Sequence, residues 1–343
     1  MKALVHTAPY KFEFIEVPQP QVADNDVLVR VKAVGICGSD LHGSTGKTGR
    51  RIPPIIMGHE AAGTIAAAGK NVQGIAVGDR VTFDSTVFCN QCSMCRQGRV
   101  NLCADRMILG VSIPAFHRDG CMAEYVAMPW WMIFKLPDAV SFEDAALVEP
   151  AAVSMHAARV TPIDVNDAVA VIGAGPIGLF AIQAAKVCGA GKVIAIDLRE
   201  ERLSLARQLG ADITIDPSKG DVQAELRKTI GRPDVDSALE AVGLPSTMGL
   251  AFQIVKLGGH ITCIGNVSKE IPLPLQEVIM REITVRGSFA IAGEYRACLD
   301  LMAQGRIQTK PLISRIVPLS EGQQAFDMLY KEDPTLMKIV LHP

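Results

Sequence analysis

Residues 168–182, AVAVIGAGPIGLFAI, constrain this chain more than any other stretch. An apolar strand-like run enters a glycine-rich turn and leaves it as an apolar helical segment, GLFAIQAAKVCG. A strand buried on both faces and followed at once by a helix belongs in a parallel sheet. Within the turn, Gly173 permits the tight bend, Gly175 lets a pyrophosphate approach the backbone, and Gly178 lets helix and strand pack closely. Pro176 and Ile177 lie between them, where the helix N-terminus offers unpaired N–H groups to phosphates. Asp197 closes the next strand, KVIAID. A carboxylate there can accept hydrogen bonds from ribose hydroxyls and would repel a 2′-phosphate, which favours NAD over NADP. Arg199 and Arg202 follow closely and could neutralise such a phosphate; Arg199 reads as a solvated helix start, and Arg202 stays a candidate cofactor contact.

The same alternation runs from Asp167 to about residue 287, whereas the first 148 residues carry strand-like segments such as KALVHT, FEFIEV and DVLVRVKAV. From Ser288 the pattern becomes mixed, with one helical stretch (YRACLDLMAQG) and the short strands SRIVPL and MKIVLH. The fold class is therefore α/β, with a β-rich part, a doubly wound parallel-sheet part and a return segment. A length of 343 residues suits two domains. Lys plus Arg total 34 against 36 for Asp plus Glu, a net charge of −2, so neither nucleic acid nor an anionic membrane is an expected partner. The apolar run at 168–182 is short for a membrane span and broken by glycines, and MKALVHTAPYKFEF lacks the apolar stretch of a signal peptide. Nine cysteines then imply a reducing compartment, and a cytoplasmic location is expected.

Four of those cysteines, Cys89, Cys92, Cys95 and Cys103, fall in CNQCSMCRQGRVNLC. Four thiolates at that spacing can wrap a short loop around one tetrahedral zinc ion. A thiol–disulfide motif would need only the first pair. With every position filled by protein, such a site is structural and leaves no room for substrate.

A second group is dispersed: Cys37 in GICGSDLH, His59 and Glu60 in MGHE, and Glu149 in VEPAAVSMHA. Taken singly, each has an ordinary reading as a packed thiol, a structural histidine or a surface charge, and spacing alone does not join them. A thiolate, an imidazole and carboxylates are nevertheless the donors of a catalytic zinc with an exchangeable water.

These motifs occur in order with VGDRV, VIGAGPIG, VIAID and RGSF, and together the chain resembles the zinc-dependent medium-chain dehydrogenases, in the polyol branch around sorbitol dehydrogenase. The resemblance runs end to end. It implies a GroES-like catalytic domain with a structural-zinc lobe at residues 1–148, an NAD-binding Rossmann domain at 149–287, and a return segment at 288–343 that completes the catalytic domain. It implies one catalytic zinc at Cys37, His59 and Glu60, with Glu149 ligating directly or through water, and one structural zinc at the four-cysteine lobe. Ser39 and His42 match a hydroxyl and an imidazole in proton relay. The implied reaction is oxidation of a secondary hydroxyl of a sugar alcohol to a ketose, with hydride transfer to NAD. A homotetramer is implied, with a dimer as the alternative.

Resembling sorbitol dehydrogenases carry an Arg-Tyr pair after the phenylalanine of this last motif, whereas here Phe289 precedes Ala290 and Ile291. That departure points to another polyol or a smaller diol. Lys47, Arg50 and Arg51 read as solvated loop charges or, alternatively, as an anchor for a sugar-alcohol phosphate. A threonine-type dehydrogenase shares the zinc motifs. A non-enzymatic dinucleotide-binding protein and a zinc-free quinone reductase are disfavoured by the intact donor set.

Overall fold

The computed structural model describes all residues except Glu332 and Pro334, and the chain divides into two compact units. One comprises Met1–Glu149, Ile291–Gly305 and Thr309–Pro343; the other comprises Pro150–Ala290 and Arg306–Gln308.

The first unit is built on a seven-stranded sheet. Its strands run in the order Ile133–Lys135, Arg80–Phe83, Glu60–Ala68, Asp26–Gly35, Lys338–His342 and Ile313–Pro318, with Tyr125–Pro129 also paired to Asp26–Gly35. Strand Asp26–Gly35 is the hub, because the β-branched alternation of DVLVRVKAVG lets it pair with three neighbours while Val27, Val29 and Val31 are buried. Each such side chain contributes roughly 1.5–3 kcal/mol relative to exposure. A smaller sheet orders Lys11–Glu16, Lys2–Ala8 and Ile55–Ile56. Leu4 and Phe12 carry that sheet into the same core, where Phe12 stacks on Phe326 at 3.9 Å between ring centroids. The last strand of the chain thus returns to the sheet begun near the N-terminus: Val340 pairs with Gly35 and Leu341 with Val34.

The second unit has one six-stranded sheet in the order Ile213–Ile215, Lys192–Ile196, Ala168–Ile172, Val235–Glu240, Val255–Cys263 and Thr284–Gly287. Every pairing in it is parallel. Numbered along the chain the order is 3-2-1-4-5-6, the doubly wound dinucleotide-binding arrangement. Strand Ala168–Ile172 is buried at every position, as its uninterrupted apolar run requires. Helix Pro176–Val187 begins at Gly175 as N-cap, with Pro176 in the first turn where its missing N–H costs nothing. Among the described residues, no helix is long and apolar enough to cross a membrane.

The glycines of the turn have different neighbours. A Cβ on Gly178 would lie 1.7 Å from the Gly173 carbonyl oxygen, which is backbone and cannot step aside. A Cβ on Gly175 would meet nothing within 4 Å. Gly178→Ala is therefore expected to cost at least about 1–3 kcal/mol of stability, and Gly175→Ala almost none. Thermal melts of the two variants side by side check the contrast.

Candidate metal centres and the glycine turn

Strand register assembles the dispersed donors. Gly35 pairs with Glu60 across the antiparallel ladder, and a Cβ on Gly35 would lie 2.5 Å from Glu60 Oε2. Cys37 stands two residues after Gly35 and His59 immediately before Glu60, so the ladder end brings both beside Glu60. Cys37, His59 and Glu60 offer donor atoms that all lie within 4.8 Å of one another.

Asp40 fixes two of the three. It stands in the first turn of helix Gly38–Ser44, and its Oδ2 accepts the Cys37 backbone N–H at 3.2 Å. Its Oδ1 lies 3.4 Å from His59 Nδ1 and accepts from Arg51 Nη2 at 3.2 Å. That placement favours the proton on Nδ1 and leaves Nε2, 3.5 Å from Ser39 Oγ, as the donor atom. Burial disfavours the His59 imidazolium, but Asp40 and Cys37 outweigh it and push the pKa well above the ordinary histidine range. Burial likewise works against the Asp40 carboxylate, yet His59 and Arg51 hold it well below its usual range. An anionic pocket that gathers a proton in this way also suits a divalent cation, which would displace that proton.

Glu60 is fully buried and bound by Lys338, whose Nζ donates to both carboxylate oxygens at 2.5 Å and to the Ile36 carbonyl at 3.2 Å. Glu149 is not in the three-donor group; its Oε1 accepts a hydrogen bond from Ser85 Oγ at 2.9 Å. Burial, opposed by His59 and aided by Glu60, raises its pKa above the usual glutamate range. Ser39 and His42 are both exposed and lie on the same short helix. Of the loop cations, Lys47 and Arg50 are exposed, but Arg51 is buried at 5% exposure and committed to Asp40. It is neither a solvated charge nor a free phosphate anchor.

The four-cysteine lobe is closed on itself. Sγ–Sγ distances are 3.5 Å for Cys92–Cys95 and Cys89–Cys103 and 4.0 Å for Cys89–Cys95. The Cys89 and Cys92 backbone N–H groups each donate to a neighbouring sulfur at 3.4 Å. Backbone hydrogen bonding at Cys95 lowers the Cys92 thiol to about 6, whereas burial pushes Cys95 up to about 12. Four thiolates this close repel one another, so a dication is what allows all of them to ionise together.

In the second unit, Asp197 Oδ2 accepts the Ala174 N–H at 2.7 Å and Oδ1 accepts the Arg199 N–H at 2.9 Å. Arg202 Nη1 lies 3.6 Å from Asp197 Oδ2. The open space above Gly175 and the N-terminus of the helix of Pro176, Ile177 and Gly178 form a cradle that an added Cβ would fill, as a dinucleotide turn requires.

Asp40, Ser85 and Lys338 were not foreseen as site residues. For Asp40 the signal was available, since C-x-x-D at a helix start is a capping pattern. Ser85 and Lys338 reach the site through the fold.

The parallel sheet, the glycine turn and two donor clusters define a zinc-binding dehydrogenase. The alcohol dehydrogenase GroES-like domain family matches residues 23–138, and the zinc-binding dehydrogenase family matches residues 176–304. A sorbitol dehydrogenase of Bacillus subtilis (strain 168) is 36% identical, with 100% of this chain and 97% of that protein covered. An alcohol dehydrogenase structure from Thermus sp. ATN1 superposes with a TM-score of 0.93 at 33% identity, covering 100% of this chain and 99% of that one. A zinc-binding dehydrogenase from Sinorhizobium meliloti 1021, bound to NADP, gives a TM-score of 0.90 at 32% identity with 100% and 99% covered. The chain belongs to the zinc-dependent medium-chain dehydrogenases, in the sorbitol dehydrogenase-like group.

Beside the site, burial and the charges of Glu149 and Glu294 push Asp84 up to about 8, against the opposing Thr86 N–H that donates to it at 2.8 Å. Its folded pKa thus lies above the unfolded value of 3.8, so its favourable contribution is complete below that value and is lost as pH rises toward about 8. Asp84→Asn keeps an oxygen acceptor for Thr86. It is expected to raise the Tm of the zinc-loaded protein more at pH 8 than at pH 5, as read by thermal unfolding at the two pH values.

Proposed function

We propose that this chain oxidises a secondary hydroxyl of a sugar alcohol to the ketose with transfer of hydride to NAD. The observation that carries the reading is the convergence of Cys37, His59 and Glu60 within 4.8 Å in a chain of the sorbitol dehydrogenase-like group. Zinc held there supplies Lewis acidity to the substrate hydroxyl, and the dinucleotide at the glycine turn supplies the hydride acceptor. Cys37 and His59 act as the fixed donors, Asp40 holding both in place. Glu60 and Glu149 supply the carboxylates, one held by Lys338 and the other by Ser85. Ser39 takes the released proton and passes it toward His42 and solvent, the two standing exposed at one-turn spacing on a short helix. Cys89, Cys92, Cys95 and Cys103 hold the structural zinc.

Asp197 supports NAD over NADP, since a 2′-phosphate would meet its carboxylate; Arg202 is already turned toward that carboxylate and answers part of its charge. Ala290 and Ile291 argue for a polyol other than sorbitol or for a smaller diol. Neither side chain carries a polar atom, so neither presents a donor where an arginine or tyrosine would, and Ile291 is fully buried.

A homotetramer in the cytoplasm completes the reading. In its support, edge strand Thr284–Gly287 is exposed throughout, and Leu257, Leu275, Ile279 and Met280 of the same unit are more than half exposed. An unprotected strand edge flanked by apolar side chains calls for a second copy. The nine cysteines, none of them joined in a disulfide, accord with a reducing compartment.

The test is dinucleotide reduction by zinc-loaded protein across stereoisomeric C4–C6 polyols, vicinal diols, their phosphates, L-threonine and simple secondary alcohols, with NAD and NADP in parallel. Chelator-sensitive turnover of a polyol or diol with NAD is the expected result; turnover confined to L-threonine overturns the substrate class. Cys37→Ala should lower kcat by more than the roughly 100-fold that loss of an outer-shell partner costs, with NAD affinity intact. Gly175→Ala should do the reverse, weakening NAD binding with the zinc content unchanged. Calorimetric titration with NAD checks both variants.

A further inference from the structure

We propose that Ser85 is a positioning residue for Glu149, and that the neck of the cysteine lobe sets where Ser85 stands, so that the lobe metal influences the catalytic metal site. The inference rests on the reading of Glu149 as a carboxylate that serves the metal at Cys37 and His59.

Ser85 is 2% exposed and Glu149 8%, so the 2.9 Å hydrogen bond between them is made out of water. In such a setting a lost donor leaves a buried carboxylate oxygen unanswered, which costs more than a surface hydrogen bond contributes. The serine backbone is held just as firmly: its carbonyl accepts the Leu109 N–H at 3.1 Å. On its N-terminal side, the Asp84 N–H donates to the Met132 carbonyl at 3.0 Å.

Residues 85 and 109 are the two feet of the lobe. Directly above them, strand Thr86–Val87 pairs antiparallel with Met107–Ile108 through the rungs Thr86–Ile108 and Val87–Met107. Cys89 follows the outgoing strand and Cys103 precedes the returning one, and the Cys89 N–H donates to Cys103 Sγ at 3.4 Å. A ribbon of two rungs is marginal by itself. Inside the lobe the chain forms only the short helix Ser93–Arg96 and the 3-10 turn Val100–Leu102, so nothing of length stiffens it. Core packing of Val87 and Leu109, and the Trp131 Nε1–H that donates to the Phe88 carbonyl at 3.3 Å, hold the near end of the neck; four thiolates around one cation would clamp its far end. A closed neck keeps Leu109 on the Ser85 carbonyl and the Ser85 hydroxyl on Glu149. A loosened neck would relax both, and Glu149 would lose the hydrogen bond that holds its Oε1.

The experiment uses full-length, zinc-loaded protein as wild type, Ser85→Ala, Ser85→Thr and Glu149→Ala. It reads the zinc affinity of the Cys37 site by competition with a chromogenic chelator, together with the pH profile of kcat. Ser85→Ala should weaken that affinity by about 10-fold and displace the pH profile. Ser85→Thr, which keeps the hydroxyl, should behave as wild type. If Glu149→Ala weakens zinc binding while Ser85→Ala leaves affinity and profile unchanged, the positioning role falls and the reading of Glu149 stands. If Glu149→Ala itself changes neither, that reading falls and the proposal with it. Cys92→Ser tests the lobe arm: it should weaken the Cys37 site in wild type and have no further effect in Ser85→Ala, and equal effects in both backgrounds overturn the coupling. If Cys92→Ser is insoluble, hydrogen exchange during stepwise zinc removal serves instead. Protection of the Leu109 amide should be lost with the lobe zinc, and retention overturns the coupling.

Discussion

Where strand Asp26–Gly35 meets strand Glu60–Ala68, the rung that joins Gly35 to Glu60 leaves space for a carboxylate only because residue 35 has no Cβ. The candidate metal site hangs on that rung. A slip of one residue would send Glu60 to the opposite face of the sheet and carry His59 away from Cys37. The final strand of the chain closes the arrangement from the other side, setting Lys338 against Glu60 at 2.5 Å. Donors from the first third of the chain are thus locked by a cation from its last few residues, which gives a physical reason for the return segment to fold back.

Charge balance follows from the same geometry. The Glu60 and Asp40 carboxylates gather negative charge in a buried setting beside the Cys37 sulfur, and Lys338 and Arg51 answer part of it. Arg51 is spent on Asp40, which in turn holds the Cys37 amide and faces the His59 ring. One carboxylate therefore sets the positions of two donors. Such a network is costly to leave half satisfied, and it tolerates little substitution at any member. The unanswered remainder is what invites a divalent cation.

Much of this was legible in the sequence, and what was not has identifiable causes. The cysteine lobe and the glycine turn are local in sequence, so spacing alone carried the chemistry. That the second unit holds a parallel sheet followed from the alternation of apolar runs and helical stretches, whereas the strands Ile213–Ile215, Val235–Glu240 and Thr284–Gly287 did not stand out. Cys37, His59 and Glu60 could be joined only through resemblance, because a ladder register brings them together and register is not written in spacing. Lys338 and Ser85 looked like ordinary strand and loop residues; burial and tertiary pairing give them their parts. In sequence Arg51 belongs with Lys47 and Arg50 to a charge run that looks solvated, and the fold instead buries one member of the run and leaves the others outside. Helix Gly322–Tyr330 also passed unread, although Phe326 packs into the core of the first unit.

The unequal surroundings of Gly175 and Gly178 have a bearing on how such a chain can drift over generations. Gly178 is demanded by the polypeptide itself, since any side chain there strikes the Gly173 carbonyl. Gly175 is demanded only by what occupies the space above it. A descendant that abandoned redox chemistry but kept its fold could lose the second glycine of the turn at no structural cost, and could not lose the third. The motif is therefore two records written together, one of the architecture and one of the occupation, and they would be erased at different rates.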